Sequence, residues 1–197
     1  MRGGGNLIYL AQQFPNIKFD GIDYDDEVVK LACKNIPINL HNIDKIIHGD
    51  WFDLNKSLKN RYNGCISFQT LSWLDGYKKA IDAIDALNLE WMAFSSLFWE
   101  GNVDYFIKAV DYGNEVVNFN NCSGIYNYNV YSLPSVKNYF SELGYKEFDY
   151  MPFEIDIDLE QKNPHWFGTY TKKMDNGRRI QISGGIMMPW YFIFARK

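Results

Sequence analysis

Short stretches near the N-terminus carry glycine and acidic residues in an order that suits a nucleotide-like ligand. Gly3, Gly4 and Gly5 open an apolar helical segment, and glycine at a strand-to-helix turn lets the backbone approach a ligand and direct N–H groups at it. Asp23 ends the next apolar, strand-like segment. A carboxylate there can accept hydrogen bonds from both hydroxyls of a ribose. The pattern therefore predicts a site for a nucleoside-containing cofactor on an α/β sheet.

A second acidic position repeats this pattern and adds aromatic residues. Asp50 follows the strand-like segment 43–48 and precedes Trp51 and Phe52. Stacking of a base on an aromatic side chain is worth about 1–3 kcal/mol, so these rings suit a purine. Each feature also has a structural interpretation. The glycines can be a flexible stretch, Asp23 a turn residue or helix cap, and the rings part of the core.

Five segments together resemble a known family, the class I S-adenosylmethionine-dependent methyltransferases. Within it the chain is most similar to the bacterial small-molecule or uncharacterised methyltransferase-domain group. The segments are Gly-Gly-Gly-Asn at 3–6, Phe-Pro-Asn at 14–16, Gly-Ile-Asp-Tyr at 21–24, Gly-Asp-Trp-Phe at 49–52 and Ser-Phe-Gln-Thr-Leu-Ser-Trp-Leu at 67–74.

The resemblance implies S-adenosylmethionine as cofactor and assigns a role to each segment. Gly3 and Gly5 would approach its methionine part, Asp23 the ribose hydroxyls and Asp50 the exocyclic amine of adenine. The cofactor-binding residues that we predict are Gly3, Gly5, Asp23, Tyr24, Asp50, Trp51, Phe52 and Gln69.

The acceptor side is predicted from residues that follow two later strands. Trp73 lies after the segment 62–69, and Trp99 and Glu100 lie after the segment 91–98. Open α/β sheets place their ligands at the carboxyl ends of strands. In the family that the chain resembles, the segment after the fourth strand faces the sulfonium and the acceptor, and the resemblance thus implies Trp73 as a substrate-binding residue. We also predict Trp99 as a substrate-binding residue and Glu100 as a catalytic residue that orients an acceptor amine or hydroxyl. A solvated loop carboxylate is the alternative for Glu100.

A late irregular segment supplies a further candidate base, His165, and a further substrate-binding residue, Trp166. A histidine suits the removal of a proton from a hydroxyl near neutral pH. Methyl transfer from a sulfonium also needs little acid–base help, so positioning alone can supply much of the rate. His41 and His48 are expected to be structural or exposed.

Charge and cysteine content exclude several classes of protein. The 197 residues carry a net charge of −4, which argues against nucleic acid as a partner. Cys33, Cys65 and Cys122 lack metal-binding or disulfide-framework spacing, so we predict no metal. No signal peptide or apolar run long enough to span a membrane is visible, and we expect a cytoplasmic protein that acts on a small-molecule acceptor.

Alternating strand and helix patterns predict an α/β fold. The resemblance implies a doubly wound, Rossmann-like, mostly parallel sheet of order 3-2-1-4-5-7-6 with an antiparallel last strand. The chain begins inside the family's first glycine loop, so we expect the first strand to be truncated. Its absence would leave two strands with open hydrogen-bonding edges. A reading frame that starts upstream is the explanation we favour.

We predict a single domain, 1–197, in which residues 1–98 form the cofactor-binding half. Two insertions, 99–132 and 156–186, are expected to cover the acceptor pocket. The first is rich in Asn and Tyr and is interpreted as a hairpin. Residues 156–177 are predicted to be irregular because they are polar and carry turn residues.

Two other functions share part of the pattern. An NAD(P)-dependent oxidoreductase also has a glycine turn and a ribose-binding acid. That fold, however, requires a third glycine for close helix packing, and this chain has Asn6-Leu7-Ile8 after Gly5 instead. A truncated, non-catalytic methyltransferase-like protein is the other alternative. Cofactor affinity separates it from both enzymes.

Overall fold

The computed structural model describes residues 2–54, 56–112, 124–162 and 168–197. The helices among them are α1 Gly5–Gln13, α2 Asp26–Asn35, α3 Tyr77–Asp85 and α4 Leu133–Glu142. The strands are β1 Phe19–Asp23, β2 Ile43–His48, β3 Gly64–Phe68, β4 Trp91–Trp99, β5 Lys108–Asp111, β6 Gly124–Asn127, β7 Tyr131–Ser132, β8 Glu147–Pro152, β9 Thr169–Lys173, β10 Arg179–Ser183, β11 Ile186–Met187 and β12 Trp190–Arg196.

The chain divides into two compact units. The first contains the residues up to Arg61 together with Asp82–Leu87, and the second contains Tyr62–Ile81 and Asn88–Lys197. The single domain expected from the sequence stays a prediction. The elements form an α/β fold with a mixed sheet in the second unit.

In the first unit, β1 and β2 form a parallel pair that runs from Phe19 opposite Ile43 to Asp23 opposite His48. The parallel arrangement requires a crossover, which α2 supplies. Within the described residues, β1 has β2 as its one hydrogen-bonded neighbour.

Asp25 and Asp26 are both possible caps for the helical segment that follows them, and in the structure Asp25 caps helix α2. The Asp25 side chain accepts hydrogen bonds from the backbone N–H groups of Glu27 and Val28, which satisfies donors that have no partner within the helix. The spacing of Val28, Val29, Leu31 and Ala32 predicts one apolar face for this helix, and that prediction is wrong for Leu31, which is 49% exposed. Val29 is buried, but helical spacing places Leu31 on the outer side.

The end of α1 is held by one side chain from outside the helix. The side-chain amide of Asn42 lies 2.9 Å from the carbonyl oxygen of Ala11, 3.1 Å from that of Phe14 and 3.0 Å from that of Ile17. The last carbonyls of a helix need such partners, since no further turn follows. Pro15, which cannot continue a helix, follows the end of α1 at Gln13.

In the second unit the sheet has the order β3-β4-β12-β8, with β7 pairing at the end of β4. β3 and β4 are parallel, whereas β12 is antiparallel to both β4 and β8. This order agrees with the 4-5-7-6 part of the order that the resemblance implies. Within the described residues, β3 has β4 as its one neighbour.

Strand β4 supplies the centre of the core of the second unit. Met92, Phe94 and Leu97 are buried, as expected for a central strand that is covered on both faces. Helix α4 packs on the sheet through Phe140, whose ring lies 6.3 Å from that of Phe94 between centroids.

The first insertion forms the hairpin that the sequence predicts, because β5 and β6 pair as antiparallel strands. The pairing continues outside the two strands as a bridge between Tyr105 and Val130. One side of the hairpin packs on a small core cluster of Leu97, Tyr128, Val130, Met188 and Trp190.

The segment 156–177 of the second insertion is not irregular throughout, so that prediction is wrong. Residues 169–173 form β9, which pairs with β10 in an antiparallel sheet that β11 completes. The strands β9 and β10 are joined by a turn at Asn176-Gly177, where Gly177 has a φ of 82°. Asn-Gly between two short strands is a strong hairpin signal.

No helix in the parts of the chain that the structure describes is long and apolar enough to cross a membrane.

Candidate functional site

The first part of the candidate site is the glycine turn before α1. Gly3 and Gly4 have left-handed φ angles of 66° and 82°, and the carbonyl oxygen of Gly3 accepts a hydrogen bond from the side-chain amide of Asn35. A Cβ on Gly4 would lie 3.2 Å from the Cβ of the buried Ala32, whereas one on Gly5 would have no atom within 4 Å. Backbone N–H groups at such a helix N-terminus suit an anionic group.

Asp23, predicted to bind a ribose, lies at the carboxyl end of β1. Its Oδ1 atom accepts a hydrogen bond from the backbone N–H of Asp25 at 3.1 Å, so the turn role left open by the sequence is present. A carboxylate has about four acceptor sites, and the turn contact and a ribose are therefore compatible. The ribose role stays a prediction.

The carboxyl ends of β1 and β2 lie at the same edge of their sheet, because the two strands are parallel and Asp23 is opposite His48. The His48 Nε2 atom donates to the carbonyl oxygen of Tyr24 at 2.9 Å. The backbone N–H of Gly49 donates to the carbonyl oxygen of Asp23 at 2.9 Å. His48, expected to be structural or exposed, thus ties the two acid-bearing turns together.

The third part is the turn that begins at Asp50. The Asp50 carboxylate accepts a hydrogen bond from the backbone N–H of Phe52 at 2.9 Å, within a 3-10 turn that spans Trp51–Asp53. The Phe52 ring is 45% exposed and meets the Trp51 ring edge to face, with centroids 6.0 Å apart. An exposed ring beside a carboxylate can stack on a base while the acid accepts from its amine. The core alternative therefore does not hold for Phe52.

Gln69 and Trp73 lie in the second unit, in the segment that follows β3. Gln69 has a left-handed φ of 59°, and its backbone N–H donates to the carbonyl oxygen of Ser95 at 2.7 Å. Trp73 ends a 3-10 turn, is 37% exposed and meets the Tyr128 ring edge to face at 4.5 Å. Both side chains thus reach the surface at the carboxyl end of a parallel strand.

Trp99 and Glu100 lie at the end of β4, also in the second unit. The Trp99 indole N–H donates to the carbonyl oxygen of Val103 at 2.9 Å, and its ring lies 6.1 Å from that of Tyr105. Glu100 accepts a hydrogen bond from the Tyr191 hydroxyl at 3.3 Å. Partial burial and the Glu100 charge raise the pKa of Tyr191, so the hydroxyl stays a donor near neutral pH.

Several residues of the candidate site were not predicted from the sequence. Gly4 is the glycine that helix packing requires, and Tyr191 is the partner of Glu100. Tyr105 and Phe106 are exposed aromatic residues in the first insertion. The high number of aromatic residues in that insertion was the sequence signal that could have identified them. His165 and Trp166 lie outside the described residues and stay predictions. No group of His, Cys, Asp and Glu in the described ranges could hold a metal ion.

Comparisons with known proteins give fold matches alone. No protein-family model and no curated protein matches the chain. Solved structures of S-adenosylmethionine-dependent methyltransferases match nearly all of it. The enzyme from Methanosarcina mazei has a TM-score of 0.61 and 11% identity, covering 99% of this chain and 88% of its own. One from Archaeoglobus fulgidus has a TM-score of 0.52 and 12% identity, covering 99% and 82%.

A third match is 1,6-didemethyltoxoflavin-N1-methyltransferase from Burkholderia thailandensis, solved with 1,6-didemethyltoxoflavin and S-adenosylhomocysteine bound. Its TM-score is 0.52 at 12% identity, covering 99% of this chain and 68% of its own. The fold is that of the S-adenosylmethionine-dependent methyltransferases.

Proposed function

We propose that the protein transfers a methyl group from S-adenosylmethionine to a small-molecule acceptor. The observation that carries the proposal is the shared sheet edge in the first unit. Parallel pairing of β1 with β2 brings Asp23 and Asp50 to that edge, in a chain with the methyltransferase fold. Carboxyl edges of such sheets bind nucleotide-like ligands.

The residues of the first unit fit the parts of the cofactor. Backbone N–H groups of the glycine turn would bind its methionine part, and Asp23 would accept from the ribose hydroxyls. Asp50 would accept from the adenine amine while Phe52 stacks on the ring, since that ring is exposed. Gln69, in the second unit, stays a predicted cofactor-binding residue.

Bound S-adenosylmethionine supplies a methyl group on a positively charged sulfur, and the acceptor's lone pair bonds to that carbon as the carbon–sulfur bond breaks and sulfur keeps the electron pair. In this proposal Trp73, Trp99 and Trp166 contact the acceptor. Glu100 orients its nucleophile, and His165 takes the proton that the nucleophile loses. The exposed rings of Trp73 and Trp99 support an acceptor with a flat or apolar body.

Calorimetric titration with S-adenosylhomocysteine tests the proposal, with NAD as a second ligand. The decisive variant is Asp23→Asn, which keeps the oxygen that accepts from Asp25 but removes the charge. We expect S-adenosylhomocysteine to bind the wild type at micromolar concentration and the variant about tenfold or more weakly, a difference of roughly 1.4 kcal/mol.

Asp44→Asn is the matched control. It removes the same charge from β2, at an exposed position where Asp44 pairs with Lys18. It should bind like the wild type. A folded wild-type protein that does not bind S-adenosylhomocysteine would contradict the proposal, and NAD binding in its place would indicate an oxidoreductase.

A further inference from the structure

The segment after β3 is fastened to β4 by a buried pair of serines. Ser72 and Ser96 are fully buried, and their hydroxyl oxygens lie 2.5 Å apart. The Ser72 hydroxyl oxygen accepts from the backbone N–H of Leu97 at 2.9 Å, and the Ser72 backbone N–H donates to the Ser96 hydroxyl at 3.0 Å. These bonds hold the middle of the segment 69–74 against the sheet.

Asn129, just after β6, holds the same segment from the insertion side. Its backbone N–H donates to the carbonyl oxygen of Ser72 at 2.9 Å, and its side-chain amide donates to that of Leu74 at 2.8 Å. The amide also donates to the Tyr131 hydroxyl at 3.2 Å, and its oxygen accepts from the backbone N–H of Ile107. The residue is 1% exposed. A buried amide whose donors and acceptor are all hydrogen-bonded holds its surroundings in a single geometry.

Tyr131 and Asn127 add two more bonds to the backbone of the segment. The buried Tyr131 hydroxyl donates to the carbonyl oxygen of Leu71 at 3.1 Å. The Asn127 amide donates to the carbonyl oxygen of Trp73 at 3.2 Å. Four consecutive carbonyls, from Leu71 to Leu74, therefore accept bonds from the stretch 127–131.

A buried asparagine is usually no more than a satisfied core residue. Here its bonds converge on one short segment, and that segment contains the left-handed Gln69. A non-glycine residue in that region is strained and persists only where its surroundings over-determine it. The network leaves the side chains of Gln69 and Trp73 at the surface, so it fixes the backbone and presents these two groups.

We propose that Asn129 is a positioning residue that fixes the orientation of Trp73 and Gln69 through the carbonyls of Ser72 and Leu74. It thereby links the first insertion to the segment after β3. The inference rests on the proposed function to the extent that Gln69 contacts the cofactor and Trp73 the acceptor.

Fluorine NMR of the full chain labelled with 5-fluorotryptophan tests the positioning role without any ligand. The chain has six tryptophans, and the Trp73 signal is the one lost in Trp73→Phe. We expect Asn129→Ala to shift or broaden the Trp73 signal while that of Trp91, at the other end of β4 and stacked on Phe194, stays in place. Val136→Ala, a cavity at a fully buried position of α4, is the control that lowers stability without moving the Trp73 signal.

An unchanged Trp73 signal in Asn129→Ala, or an equal change in Val136→Ala, would overturn the positioning role. If Asn129→Ala does not fold, Tyr131→Phe takes its place, because it keeps the ring and removes the bond to Leu71. The same displacement of the Trp73 signal, smaller in size, is then expected.

Titration of these variants with S-adenosylhomocysteine separates this inference from the proposed function. We expect about tenfold weaker binding in Asn129→Ala and unchanged binding in Val136→Ala. If Asn129→Ala displaces the Trp73 signal but binds S-adenosylhomocysteine as tightly as the wild type, then Asn129 does not position Gln69 for cofactor binding. A wild type that does not bind contradicts the proposed function, while the NMR result still decides the positioning role.

Discussion

At the scale of single residues, the two glycines at the start of α1, Gly4 and Gly5, have different tasks. Gly4 has a left-handed φ of 82° and lies against Ala32, so it serves the packing of α1 on α2. Gly5 is helical, and the space beside it is open. Open space at the N-terminus of a helix is where a ligand can reach backbone N–H groups.

Gly4→Ala should therefore affect mainly the stability of the protein, and Gly5→Ala mainly its binding of the cofactor product. We expect Gly4→Ala to lower the free energy of unfolding by about 2 kcal/mol, since a Cβ in the left-handed region costs roughly 1–2 kcal/mol and here also meets Ala32. Gly5→Ala should leave stability unchanged or slightly higher, but weaken S-adenosylhomocysteine binding. Urea unfolding and calorimetry measure the two effects. Equal stability of both variants would contradict the packing role of Gly4.

The sequence could predict that these glycines matter, but not which one packing requires. The φ angle of Gly4 and its approach to Ala32 depend on how two helices meet, which residue spacing does not encode. The hydrogen bond from Tyr191 to Glu100 could not be predicted for the same reason, because it joins positions far apart in the chain. Asp25, in contrast, was predictable as a cap because its partners are its next neighbours.

At the scale of elements, local signals decided how well each element was predicted. β2 has the predicted bounds, 43–48, and α4 begins with a proline in its first turn and is followed by Gly144 with a φ of 88°. β9 was missed because Thr169–Lys173 is short and polar and has no apolar face of its own. It becomes a strand by pairing with β10, so its formation depends on its partner.

The start of α4 offers a test at this scale. Ser132 caps the helix, with its side chain accepting from the backbone N–H of Ser135 at 3.2 Å. Ser132→Ala should lower the free energy of unfolding by about 1 kcal/mol because a helix N–H loses its partner. Urea unfolding with an unchanged m-value is the measurement. Ser141→Ala, at an exposed position late in the same helix, is the control and should differ little from the wild type.

At the scale of the whole molecule, buried ionisable groups set how stability depends on alkaline pH. Cys65 is half-buried as a residue, but its thiol is enclosed by protein, and burial raises its pKa from 9.0 to about 12. Burial likewise raises the pKa of Tyr131 to about 12. In the unfolded chain both groups ionise at lower pH. Their contribution to stability is thus complete below the unfolded pKa and is lost as the pH rises towards 12.

Cys65→Ala should make the stability less sensitive to pH in this range. Between pH 9 and pH 10.5 the wild type should lose about 2 kcal/mol more than Cys65→Ala, since one pKa unit corresponds to about 1.4 kcal/mol. Urea unfolding at several pH values provides the comparison. Cys33→Ala is the matched control, because Cys33 is exposed and should follow the wild type. Parallel curves for Cys65→Ala and the wild type would contradict the prediction.

Within the described residues, β1 and β3 are each paired along one edge, which has a consequence for the exchange of amide hydrogens with solvent. β4 has hydrogen-bonded neighbours on both sides, β3 and β12, so its amides exchange only when the sheet opens. Along β3, alternate N–H groups point away from β4, and deuterium should replace their hydrogens much earlier than those that point toward it. The same alternation is expected along β1. A ligand or a further strand that covers either edge would be detected as selective slowing of these early-exchanging amides.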